Sequence, residues 1–426
     1  MILRRTILEI ILENRQEVMR YEVMPRSISL NDFDRQVLVG VRRAGKSYLL
    51  FQHIQQLVNN NVSLNDIVYI NFEDERLEKI SSDDLNTILE VQASISENRP
   101  ILFFDEIQNV DGWEKFARRL ADQKYKIFIT GSNSRMLSKD VAAALGGRFL
   151  TKEVFPLSFA EYLNMNGINP SDPLLLATTQ NRAALMKAYE QYFNFGGFPE
   201  CATLPSKRDY LLSLYQKIFL GDIAARNRID NIFALRVLFR KLAESVKQPL
   251  SFTRAANIVA STGTKIGKST VINYIEYAKD GCLLYAISNI ADNLTAKTTN
   301  RKYYFIDNGI ISLLTLDIRT TLLENMVALA LLRKYGSDDS VYYYHNGVEV
   351  DFYVPEAETA IQVSYSVEPN SETFDRETRA LIKIGERLPV KRRIIVTYDQ
   401  ESTLRLGAQP EDVTIEFIPA WKFLLL

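Results

Sequence analysis

Val37-Leu38-Val39-Gly40-Val41-Arg42-Arg43-Ala44-Gly45-Lys46-Ser47 runs from three apolar residues into G-x-x-x-x-G-K-S, and Tyr48, Leu49, Leu50, Phe51 and Ile54 continue at helical spacing. Strand, glycine-framed loop and helix form the setting in which this motif binds phosphate. The glycines let successive backbone N–H groups face a β-phosphate. Lys46 brings a point charge to the β- and γ-phosphates, and the Ser47 hydroxyl ligates Mg²⁺. The expected nucleotide-binding set is therefore Gly40, Val41, Arg42, Arg43, Ala44, Gly45, Lys46, Ser47 and Tyr48.

The run Ile101-Leu102-Phe103-Phe104-Asp105-Glu106 reads as the partner strand. Four consecutive apolar residues suit a strand covered on both faces, and nucleotides sit at the carboxyl edge of such sheets. Asp105 is placed to hold the metal with Ser47. A second carboxylate beside a metal-binding one is costly to keep ionised, so Glu106 is assigned to orient the attacking water. Ile127-Phe128-Ile129-Thr130-Gly131 is a further buried strand that delivers Ser132 and Asn133 to the same edge, as candidates to sense the γ-phosphate. Ile67-Val68-Tyr69-Ile70-Asn71 is another, and Asn71 is either a restraint on Glu106 or an ordinary turn former.

At this point the chain resembles the AAA-type ATPases of the additional-strand P-loop class. It is most similar in pattern to bacterial and archaeal members that carry a winged helix and a nuclease-like C-terminal region. The tokens are Gly40–Ser47, Tyr69-Ile70-Asn71-Phe72-Glu73-Asp74, Phe103-Phe104-Asp105-Glu106-Ile107-Gln108, Ile129-Thr130-Gly131-Ser132-Asn133-Ser134, Gly146-Gly147-Arg148 and Gly196-Gly197-Phe198-Pro199-Glu200. The resemblance implies ATP binding and hydrolysis with Mg²⁺, with Lys46, Glu106, Asn133 and Arg148 as catalytic residues. Arg148 precedes the expected fifth strand, where such proteins place an arginine that reaches a neighbouring subunit's γ-phosphate. A surface arginine after a double-glycine turn is the competing reading.

The 426 residues exceed one core and fit two to four domains. With 46% hydrophobic and 24% charged residues the composition is that of a soluble globular protein. A net charge of −1 gives no global field for nucleic acid or membrane. Cys201 and Cys282 stand far apart without zinc-type spacing, as expected of reduced thiols in a cytoplasmic protein. The first residues are basic and then apolar, but Glu9 interrupts the run, and the spacing suits an amphipathic helix rather than a signal peptide. No apolar run approaches the length of a membrane-spanning helix, so no membrane partner is expected.

The expected fold is α/β, organised as a lead helix and loop over 1–34, a P-loop ATPase core of parallel sheet over 35–155 and a helical lid over 156–206. A winged helix over 207–300 and a nuclease-like α/β domain over 301–426 follow. Between Leu235 and Ile275 seven basic residues (Arg236, Arg240, Lys241, Lys247, Arg254, Lys265, Lys268) face one acid, Glu244. That footprint suits DNA contact through the winged helix, or else a solvated packing module. DNA and a second copy of the chain stay open as partners beside ATP. The phosphate-loop-like stretch from Gly263 to Thr270 has its glycines one residue too close and reads as a helix–turn–helix turn.

The last domain resembles the restriction-endonuclease-like fold. That family's metal site takes a helix glutamate, a strand aspartate and an acid-x-Lys on the next strand. Glu324 and Asp351 match, but Gln362 stands in place of the second acid and Ser364 in place of the lysine. The resemblance therefore implies a degenerate site without nuclease activity.

Overall fold

A computed structural model of the chain describes residues 2–133, 136, 139–264, 266–316, 319–336, 339–406 and 413–426. The chain divides into two compact units, residues 1–155 with 280–282, and residues 156–279 with 283–426. Among the described residues no helix is long and apolar enough to cross a membrane.

The first unit is built on five strands: β1 (Arg35–Val39), β2 (Ile67–Asn71), β3 (Ile101–Asp105), β4 (Lys126–Gly131) and β5 (Leu150–Glu153). All neighbours are parallel, in the order β2-β3-β4-β1-β5. Parallel pairing and short crossovers follow from buried apolar strands alternating with helical segments. Register puts Val39 opposite Gly131 and Asn71 opposite Asp105, so four strand ends meet at one carboxyl edge.

Residues 1–34 are not a separate appendage. Ile7, Ile10, Ile11 and Val18 form the buried stripe of the helix Ile2–Arg20, which packs against β2 and the helix Asn86–Ala93. Each such side chain contributes about 1.5–3 kcal/mol of burial. Buried Arg15 staples the helix through Nε to the Ile67 carbonyl at 3.0 Å, and through a terminal nitrogen to the Asn65 carbonyl and Gln92 Oε1 at 2.8 Å.

In the second unit, 156–206 packs with later elements: the helix Thr179–Phe195 lies against the helices Asn308–Leu314 and Arg319–Tyr335. Asp307 accepts the Gly197 N–H at 2.7 Å, and Arg333 donates to the Pro156 carbonyl at 3.1 Å. The helices Ile232–Glu244, Phe252–Ser261 and Lys268–Asp280 surround a small antiparallel sheet of β6 (Leu250–Ser251), β7 (Leu284–Ser288) and β8 (Asn300–Phe305), ordered β6-β8-β7. The boundary expected at 300 thus falls inside the β7–β8 hairpin. The apolar run from Tyr303 marks the strand in the sequence, whereas the strand already begins at the polar Asn300 and Arg301.

The remaining strands are β9 (Tyr342–His345), β10 (Glu349–Val354), β11 (Thr359–Val363), β12 (Arg392–Thr397), β13 (Ser402–Leu406) and β14 (Val413–Pro419). They form one mixed sheet ordered β13-β14-β12-β11-β10-β9, with β11, β12 and β14 mutually parallel. The helix Glu372–Ile384 packs across β10, β11 and β14.

Candidate active site

The loop after β1 takes its shape from two glycines. A Cβ on Gly40 would lie 2.1 Å from the Val154 carbonyl oxygen, so only glycine lets the loop pass that backbone. Gly45 caps the helix Lys46–Asn59 at φ 94°, in the left-handed region. That helix has no acidic residue in its first turn, leaving its N–H groups and dipole suited to an anion. Arg26 braces the loop from within, donating to the Ala44 carbonyl at 2.9 Å and the Phe155 carbonyl at 3.0 Å. Tyr48 is largely exposed, and its ring meets Tyr21 and Phe51 at 5.7 and 5.4 Å.

Lys46 is 4% exposed and turned into its own loop. Its ammonium donates to the Gly40 and Val41 carbonyls at 3.0 and 3.2 Å and pairs with Glu106 Oε1 at 3.3 Å. Glu106 has φ 53°, a left-handed turn that bends the chain straight off the end of β3. Its N–H is held by Thr130 Oγ1 at 3.0 Å, and its carboxylate accepts from Gln108 Nε2 at 2.5 Å. Burial pushes the Glu106 carboxyl up, but Lys46, Gln108, Ser132 and Arg42 outweigh it and hold the group below its ordinary value.

Asp105 behaves oppositely. Burial and the neighbouring Glu106 raise its pKa, against hydrogen bonds from Ser47, Thr130 and Tyr69 that favour the anion. The Tyr69 hydroxyl donates to Asp105 Oδ2 at 2.7 Å, and Thr130 donates to Oδ1. The Ser47 hydroxyl therefore already touches the carboxylate with which it was paired as a metal ligand. Two hard oxygen donors beside a phosphate loop fit Mg²⁺, which keeps several waters and takes its other ligands from phosphate.

The remaining assigned residues divide. Ser132 is buried at the site and accepts from Gln108 Nε2 at 3.4 Å, and Asn133 follows it, half-buried, at the end of β4. Asn71 caps its own turn by accepting the Glu73 N–H at 2.9 Å, so Gln108 and Lys46 restrain Glu106 instead. Arg148 is not brought to this edge. Arg35, which opens β1, donates to the Arg148 carbonyl at 3.0 Å. Arg148 thus lies at the amino edge, a strand length of about 15 Å from the phosphate loop. Its guanidinium pairs with Asp122.

In the second unit the structure assembles a second polar centre. Glu324, Glu349 and Asp351 surround the Lys302 ammonium at 3.3, 3.3 and 3.2 Å, and Tyr304 donates to Glu324 at 3.0 Å. Gln362 is committed to backbone, accepting the Asp351 N–H and donating to the Glu349 carbonyl, both at 2.9 Å. Ser364 donates to the Ser366 carbonyl at 3.2 Å. The helices Ile232–Glu244, Phe252–Ser261 and Lys268–Asp280 expose Arg236, Arg240, Arg254 and Lys268, while Lys265 lies outside the described residues.

Sequence reasoning missed Arg26, Tyr69, Gln108, Thr130, Lys302 and Glu349. Gln108 and Thr130 sit inside quoted motifs without a role. Lys302, a charge leading the run Tyr303-Tyr304-Phe305 in a buried strand, carried a legible signal.

Residues 33–163 match a family described as an AAA domain, and residues 186–321 match a domain of unknown function. An uncharacterised protein of Methanocaldococcus jannaschii, MJ1544, is 35% identical over 98% of this chain and 94% of its own length. An uncharacterised protein of Haemophilus influenzae is 28% identical over 84% of this chain and 89% of its own. Among solved structures, the Walker-type ATPase PABY2304 of Pyrococcus abyssi aligns with 71% of this chain and 95% of its own, at TM-score 0.42 and 15% identity. The chain belongs to the family of the Methanocaldococcus protein MJ1544, and its phosphate loop and Asp105–Glu106 pair lie within the residues that match the AAA domain.

Proposed function

We propose that the protein is an Mg²⁺-dependent ATPase whose turnover is coupled to remodelling of nucleic acid or a partner protein. The observation that carries this reading is the convergence at one sheet edge of Lys46 with Glu106 and of Ser47 with Asp105. Bound Mg²⁺ would supply charge neutralisation and Lewis acidity at the phosphates, held by Ser47 and Asp105. Lys46 turns from the Gly40 and Val41 carbonyls toward the β- and γ-phosphates. That movement removes the charge which depresses Glu106 and makes its carboxylate a better acceptor for the proton of the attacking water. Ser132 and Asn133 register the γ-phosphate at the end of β4. Arg148, on the opposite edge of its own sheet, serves only a neighbouring copy of the chain.

The helices Ile232–Glu244, Phe252–Ser261 and Lys268–Asp280 followed by the β7–β8 pair support a winged-helix reading of the region expected over 207–300, with a DNA contact through its exposed basic side chains. The mixed sheet of β9–β14 with Glu324 and Asp351 supports a nuclease-like fold without nuclease activity. The buried thiols of Cys201 and Cys282 support a cytoplasmic setting. Steady-state ATP hydrolysis with Mg²⁺, with and without duplex and single-stranded DNA, tests the whole reading. Turnover that rises with polynucleotide is expected, and absence of any Mg²⁺-dependent hydrolysis ends the proposal.

A second reading has its own support in the Lys46–Glu106 pair and the Gln108 bond, which together hold the catalytic carboxylate back. Under it the protein is a slow ATP-gated switch whose output is binding. Single-turnover kinetics with nucleotide-dependent DNA or protein affinity distinguish it.

A further inference from the structure

The carboxylates that match the nuclease-like metal site do not surround an open position. The Lys302 ammonium stands 3.2–3.3 Å from one oxygen each of Glu324, Glu349 and Asp351, and its side chain is fully buried. Its strand, β8, is the middle strand of the small sheet, paired on both sides. The ring of Tyr343 lies 5.6 Å from the ammonium. Two of the carboxylates have further partners: Asp351 Oδ2 accepts the Val363 N–H at 2.9 Å, and the Tyr304 hydroxyl shares Glu324 Oε1. Among the described residues no group of three or more His, Cys, Asp or Glu side chains is arranged to hold a metal ion.

We propose that the Lys302 ammonium is the resident cation of the Glu324–Glu349–Asp351 cluster, that it excludes divalent ions, and that its loss turns the cluster into a site for a hard, oxygen-binding divalent cation. An ion sharing one of these oxygens would sit no more than about 5.4 Å from Nζ, given Mg²⁺–oxygen contacts of about 2.1 Å. Two cations so close repel strongly in a buried site. A catalytic lysine working beside a metal has to reach reacting water or phosphate on the solvent side. Glu324, Glu349 and Asp351 line the adjoining pocket of about 740 Å³, whereas Lys302 lies behind them, equidistant from all three. Without the ammonium, three carboxylates and the Tyr304 hydroxyl face one another across the space it filled, a donor set that suits Mg²⁺ or Mn²⁺. This inference is independent of the ATPase reading.

The test is Mn²⁺ binding to the full-length, nucleotide-free protein, counted by electron paramagnetic resonance. Wild type and Glu349→Gln should bind the same number of ions, because any ion at Ser47 and Asp105 is common to both. Lys302→Ala should bind one more per chain, and Lys302→Ala with Glu349→Gln should lose that gain. A wild-type ion that disappears in Glu349→Gln overturns the proposal, as does a folded Lys302→Ala protein with no gain. Mn²⁺-dependent nicking of supercoiled DNA by wild type that vanishes in Lys302→Ala would make Lys302 a catalytic lysine and also overturn it. Should Lys302→Ala not fold, the comparison of wild type with Glu349→Gln decides.

Discussion

Lys46 and Lys302 are both buried lysines set against carboxylates, one in each unit, yet their surroundings commit them to different ends. Lys46 opens a helix at the rim of a loop and shares its protons between two backbone carbonyls and the single carboxylate of Glu106. Those partners are readily exchanged for phosphate oxygens, because a carbonyl binds an ammonium less strongly than an anion does. Lys302 lies inside a strand with three carboxylates and no exposed atom. Burial would lower its pKa, but Glu324, Asp351 and Glu349 outweigh that and lift it above the ordinary lysine range. One lysine is poised to move, and the other is a fixed counter-ion.

The sharpest way to break the contrast is to delete the fixed charge. Lys302→Met should destabilise the second unit by about 3–5 kcal/mol, since removing one partner of a buried ion cluster leaves uncompensated charge. Urea unfolding measures this, and a loss below about 1 kcal/mol would make the cluster a solvated one. Next is Glu106→Gln, which should retain ATP affinity yet hydrolyse at least about a hundredfold more slowly, roughly 2.7 kcal/mol of barrier. Lys46→Ala should instead weaken nucleotide binding itself. Unchanged turnover in the glutamine variant removes Glu106 from the chemistry.

The trans role of Arg148 has an independent check. Arg148→Ala mixed with Glu106→Gln should recover part of the lost activity, because some interfaces then pair two intact halves. A monomeric protein with full activity would leave Arg148 as the counter-ion of Asp122 alone. Gln108→Ala should have a smaller effect, a few-fold rise in single-turnover rate through release of Glu106. A fall would make Gln108 a positioning residue for water.

Glu106 and Glu324 should also respond to pH in opposite senses. Glu106 has its pKa lowered on folding, so its contribution to stability is present above the ordinary glutamate range and is lost as pH falls through the depressed value. Glu324 is raised to about 7 by burial and by Asp351, despite Lys302, because one ammonium serves three carboxylates. A raised group binds more protons folded than unfolded. Its contribution is therefore full below about 4.5 and is lost as pH rises toward 7. Glu324→Gln should flatten that part of the stability curve, measured by denaturant unfolding across the range.

Much of the first unit was legible because its signals are local. Val37–Ser47 specifies strand, loop and helix through neighbours within a dozen residues, and Ile101–Glu106 does the same for β3 and the acidic pair. The N-terminal helix was legible as a helix but not as part of the sheet unit, since Arg15 reaches Ile67 and Gln92 through a side chain. Arg148 was legible as a residue before β5, but the edge on which it lies depends on all strands being parallel.

What the sequence by itself determined is the pattern contained in contiguous motifs: the phosphate-loop signature, the Asp105–Glu106 pair, and Gln362 and Ser364 where the nuclease resemblance expects an acid and a lysine. Spacing along one strand or helix fixes such relations, because backbone geometry carries them. Only the tertiary structure decided which charges meet. Gln108 and Thr130 come to Glu106 through a turn and a neighbouring strand. Lys302 comes to Glu324 and Asp351 across 22 and 49 residues. No local periodicity encodes that approach. It follows from sheet pairing and burial, which oblige an ammonium with no access to water to find its carboxylates wherever the fold has left them.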